Sequence, residues 1–103
     1  MPTDIQHLRT VAYESVTVST TSVGLTLARF INTVPAVTGA IISVDTAPIR
    51  WRDDGTAPTS SEGHFAIPTG EPIIITHPTR LNNFRTIRQA STDATIRVSY
   101  LGF

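Results

Sequence analysis

The sequence predicts an all-β protein, a single-domain antiparallel β-sandwich or small barrel of about seven or eight short strands. Three observations lead there. Thr, Val and Ile dominate the chain, and these β-branched residues suit the pleated surface of a strand. Seven Pro and six Gly are spread along it, which leaves little room for a long helix. The apolar residues recur in short runs of period two, with no helical stripe of useful length.

Taken in order, residues 1–11 read as an extended N-terminal arm ahead of a single β domain over 12–103. Ala12 to Ser19 is the first strand, with Val16 and Val18 on one face and Thr17 and Ser19 on the other. Gly24 to Leu27 is a short second strand. Leu27-Ala28-Arg29-Phe30-Ile31 is the best helical candidate, a single turn. Ala40 to Thr46 places Ile42 and Val44 inward, and Ile49 to Asp53 places Ile49 and Trp51 inward. The inward parity changes between these two runs, so Ala47-Pro48 is expected to hold a bulge or a tight reversal.

Phe65 to Ile67 reads as a short edge strand. Pro72 to Thr76 contains Ile73-Ile74-Ile75, apolar on both faces, which predicts a central buried strand. Phe84 to Gln89 and Ala94 to Leu101 read as the closing hairpin. The last strand alternates most clearly, with Ile96, Val98 and Tyr100 on one face and Thr95, Arg97 and Ser99 on the other. The expected core is Ile42, Val44, Ile49, Trp51, Ile74, Ile96, Val98 and Tyr100.

With 103 residues the chain has the length of one domain and little material for a deep cleft. Its formal net charge is zero, whereas duplex-DNA binding draws much of its strength from a basic excess, so nucleic acid is not an expected partner. All eight basic residues are Arg, which suits planar, bidentate interface contacts. Cys is absent, so disulfides play no part in the fold. No apolar run approaches the ~20 residues of a bilayer span, and the start shows no signal-peptide pattern, so no membrane association is expected.

The polar clusters read as turns before they read as chemistry. Asp53-Asp54-Gly55-Thr56 could offer two carboxylates to Ca²⁺, but the alternating acid spacing of a calcium loop is missing. Asp in a turn with Gly supplying positive φ accounts for it, and no metal is expected. His7, His64 and His77 have no ligand spacing. Ser60 or Ser61 with His64 and Asp53 lacks a nucleophile elbow or an oxyanion-hole motif, so no catalytic residue is assigned. Trp51, flanked by Arg50 and Arg52, fits a core residue better than a sugar-stacking platform. Gly70 reads as turn chemistry. Residues 54–63 form the longest polar stretch and are a candidate contact loop.

The run Thr46-Ala47-Pro48-Ile49-Arg50-Trp51-Arg52-Asp53-Asp54-Gly55-Thr56-Ala57-Pro58-Thr59, the later Gly63-His64, and the ending Phe84-Arg85-Thr86-Ile87-Arg88 with Thr92-Asp93-Ala94-Thr95-Ile96-Arg97-Val98-Ser99-Tyr100 form a pattern. Over residues 40–101 it resembles a group of small virion proteins of tailed bacteriophages. The shared form is aromatic-Arg-x-Asp-Gly-Thr-x-Pro-Thr, then Gly-His, then Phe-Arg-x-Ile and an Asp-Ala-Thr strand. The resemblance implies a non-enzymatic structural protein of the virion, made in the host cytoplasm. A capsid decoration or cement protein that binds neighbouring capsid subunits is the leading role. A neck or tail component, or a carbohydrate- or receptor-binding β module, is the alternative. It implies no catalytic residue and no cofactor.

For such a role the expected partners are capsid or other virion proteins and further copies of the chain, in a homo-oligomer such as a trimer. The expected contact residues are Ile5, Leu8 and Arg9 of the arm, Asp54, Thr56 and Thr59 of the loop, and Leu101 and Phe103 at the end. Ile5 and Leu8 have no evident core partner in the sequence, and the end at Leu101-Gly102-Phe103 is apolar although termini usually fray in water.

Overall fold

The computed structural model describes residues 9–26 and 36–102. Among the described residues, eight strands and one short helix follow in the order β1 (Arg9–Val18), β2 (Val23–Gly24), β3 (Val37–Asp45), β4 (Ile49–Arg52), β5 (His64–Ala66), β6 (Ile73–Ile75), α1 (Pro78–Asn83), β7 (Arg85–Arg88) and β8 (Ala94–Gly102). They build two four-stranded antiparallel sheets, β1-β8-β3-β6 and β2-β7-β4-β5. The sheets are open, so the protein is a β-sandwich and not a closed barrel. Its radius of gyration, 13.1 Å, is that of one compact domain.

Alternation in β8 carries the core. Ala94, Ile96, Val98 and Tyr100 point inward, and all four are buried. Its neighbours follow from the register: Ile96 faces Val44 and Val16, and Val98 faces Ile42 and Glu14. From the opposing sheet come Ile49, Phe84 and Thr86. Thr86 is the polar member of this group, and its hydroxyl donates to the Arg50 carbonyl at 2.9 Å, which satisfies it.

The parity change at Ala47-Pro48 marks the point where the chain leaves the first sheet for the second. Thr46 takes a positive φ of 77°, and the Asp45 carboxylate accepts its backbone N–H at 2.9 Å. Asp is suited to this, because its short side chain bonds the backbone of the turn it starts. The chain returns at residues 89–93, so β7 and β8 lie in different sheets and are not a hairpin.

Other expectations change as well. β6 is an edge strand and not a central one, with Ile73 and Ile75 buried and Ile74 turned outward at 44% exposure. Ile74 is therefore not a core residue. Trp51 is half-buried and packs against the core from its rim. β1 begins at Arg9, so residues 9–11 belong to the sheet; the rest of the expected arm, residues 1–8, and the expected helical turn at 27–31 lie outside the described residues.

The helix α1 follows from local chemistry. Nδ1 of His77 accepts the Thr79 N–H at 3.1 Å as an N-cap, and Pro78 supplies a helical φ where no N–H bond is needed. Leu81 is fully buried and fixes the helix to the sandwich.

A pair of substitutions checks the facing of the first sheet. Val98→Ala is expected to cost about 1–3 kcal/mol, because Val98 has no exposed surface. Ile74→Ala is expected to fall within about 0.5 kcal/mol of the parent. Denaturant midpoints decide, and equal losses would reverse the assignment of inner and outer faces.

Candidate functional site

Two regions outside the core hold concentrated side-chain chemistry: the loop between β4 and β5, and the open edge where β5 of one sheet and β6 of the other line a common groove.

The loop folds onto its own domain. Asp54 accepts from the Arg52 guanidinium through both carboxylate oxygens, and from the Thr56 N–H at 3.2 Å. Gly55 then takes φ of 88°. Asp53 holds Arg80 of α1 at 2.6 Å. Thr59 and Glu62 exchange two backbone hydrogen bonds, at 2.9 and 3.3 Å, around a tight turn. Pro58 is buried, and Gly63 lies so close that a Cβ there would stand 3.1 Å from both the Pro58 ring and the Trp51 carbonyl. Asp53-Asp54-Gly55-Thr56 is thus a turn whose two carboxylates each hold an arginine. Among the described residues no cluster of three or more His, Asp or Glu is arranged to hold a metal ion.

The Arg52 guanidinium, helped by the Thr56 N–H, holds the Asp54 carboxyl down to about 2. A depressed carboxyl favours the folded loop above its unfolded value near 4 and loses that contribution as pH falls towards about 2. The pair is solvent-exposed, so the effect is expected in the loop more than in global stability. An NMR titration of the Asp54 side chain should find its midpoint near 2 in the native protein. An ordinary carboxylate midpoint would mean that the tie to Arg52 is not made.

His64 does not join Ser60, Ser61 or Asp53 by any hydrogen bond. Its ring lies 4.7 Å from that of Trp51, which in turn stacks on Phe84 at 5.7 Å. Trp51 is thereby held between a surface ring and a core ring, a placement that suits a packing residue.

The second region is a shallow groove of about 430 Å³ along the open edge. β5 is the last strand of one sheet and β6 the last of the other, and among the described residues each is paired on one side only. Ile67-Pro68-Thr69-Gly70 turns tightly after β5, with the Gly70 N–H on the Ile67 carbonyl at 3.0 Å. Phe65, Ile67 and Ile74 line the groove and are 52%, 39% and 44% exposed. Three large exposed apolar side chains thus line one groove and are not scattered singly over the surface. The Arg50 guanidinium lies 4.9 Å above the Phe65 ring, a cation–π arrangement, while its Nε is buried without a partner. Glu71 lies on the rim, exposed, with no ion pair among the described residues.

The expected contact residues are placed unevenly against this geometry. Arg9 is exposed at the first position of β1, opposite Gly102. Asp54, Thr56 and Thr59 are exposed, with polar groups already used inside the loop. Leu101 is only 6% exposed and sits in β8 between Thr10 and Gly39, so it is not a free apolar end. Ile5, Leu8 and Phe103 lie outside the described residues. The groove residues Phe65, Ile67 and Ile74 were missed. The available signal was Phe65 alternating with His64 and Ala66 in a strand already read as an edge. Comparison with protein-family models, curated proteins and solved structures finds no match to this chain.

Proposed function

We propose that this protein is a non-enzymatic structural subunit of a tailed-phage particle, a capsid decoration protein that acts by associating with neighbouring subunits. The observation that carries this reading is the exposed cluster of Phe65, Ile67 and Ile74 on a doubly open sheet edge. The sequence resemblance over residues 40–101 supplies the setting. In a lattice, modest contacts suffice, because attachment at one point raises the effective concentration at the next.

The test is to purify particles from cells that express the protein with its phage and to measure its copy number by quantitative mass spectrometry. Many copies per particle, and empty positions on the shell when the gene is deleted, are expected. A protein that stays in the lysate and leaves particles unchanged would remove this reading.

A further inference from the structure

We propose that the groove between β5 and β6 is filled by the N-terminal arm, residues 1–8, of a second copy of this chain. This rests on the reading of the protein as a subunit that works by association, and it names the partner at that surface.

The sequence of the arm suits the groove. Pro2, Ile5 and Leu8 recur at every third position, the period at which a polyproline II segment would present them on one face with its backbone free to bond. Grooves lined by aromatic side chains accept such segments readily, since little conformational freedom is lost. Here Phe65 and Trp51 supply the rings, with Ile67 and Ile74 beside them. Charges of both signs stand at or beside the groove and in or at the root of the arm. Glu71 lines the groove and has no ion pair among the described residues, and the Arg50 guanidinium stands beside it, 4.9 Å over the Phe65 ring. The arm brings Asp4 just before Ile5, and Arg9, the first residue of β1, stands at its root just after Leu8. The unpaired side of each edge strand offers main-chain groups to an added chain.

Topology favours a second copy over the chain's own arm. β1 and β6 are the two opposite edges of one sheet, so the arm's root stands three strand spacings, roughly 14 Å, from β6. Eight residues reach about 26 Å when fully extended. Crossing the sheet uses half of that reach and delivers the arm across the strands instead of along them. An arm from a neighbour meets no such crossing.

The test uses the full chain in sedimentation equilibrium. One variant carries Ile5→Ser and Leu8→Ser, and another carries Phe65→Ser and Ile74→Ser; circular dichroism checks that both fold. The parent chain is expected to self-associate, with each double variant weakened by at least about tenfold in dissociation constant. Mixing the two variants should restore association, because one retains an intact groove and the other an intact arm. A monomeric parent chain, an arm variant that associates like the parent, or variants that stay apart when mixed would each overturn the arm exchange. A monomer that still decorates particles would do so while leaving the structural reading intact.

Discussion

Phe84→Ala is expected to destabilise the protein by about 3–5 kcal/mol, the largest effect of any single truncation considered for this fold. Phe84 has no exposed surface and links three elements. Its backbone N–H closes α1 on the Leu81 carbonyl at 3.4 Å, its chain leads directly into β7, and its ring stacks on Trp51. Alanine would leave a cavity where the sandwich cannot easily collapse, because the strands on either side are fixed by their ladders. Trp51 is the single tryptophan, so its fluorescence should report both the lower denaturant midpoint and a loosened native environment. A loss below about 1 kcal/mol would mean that the helix and β7 are not held through this ring.

The second large effect is expected at Glu14, a buried carboxylate pointing inward from an edge strand. It accepts the Thr26 N–H at 3.1 Å, the Thr26 hydroxyl, and the Tyr100 hydroxyl from β8. Glu14→Ala removes the shared acceptor and leaves several donors in a partly dry site. The expected cost is on the order of 3 kcal/mol, well above that of an ordinary strand substitution. Glu14→Gln keeps the shape and one acceptor oxygen, so it should cost less. Hydrogen exchange at the Thr26 amide gives a local readout, since its protection depends on this carboxylate. If Glu14→Ala matches the parent in stability and exchange, the carboxylate does not organise this end of the sandwich.

The sequence made β8 legible because every second residue there is apolar and the intervening ones are polar. β1 was less clear for a reason that Glu14 explains: the inward face carries a carboxylate, and only the fold brings Tyr100 and Thr26 to it. Three consecutive isoleucines in β6 carry no parity information. Whether Ile74 faces in or out is set by its pairing with Ile41, and whether β6 is central or marginal is set by topology. The polar stretch Ser91-Thr92-Asp93 reads equally well as a hairpin turn or as a crossing between sheets. The helix at 78–83 was not read from the sequence, because it depends on the His77 side chain capping a single short turn that opens with Pro78. The groove was the hardest part to foresee, because its two walls come from strands that belong to different sheets.

The pairing of β1 with β8 joins the first described residue, Arg9, to the last, Gly102. Among the described residues β1 has no other partner in its sheet, so its pairing waits until β8 exists. During synthesis, β2 to β7 therefore emerge from the ribosome before the first strand has a place to go. Contacts this distant along the sequence place the domain among the slower two-state folders, with times in the millisecond-to-second range. Until β8 closes the sheet, the ten residues of β1 remain an open strand, and chaperone protection is most useful in that interval.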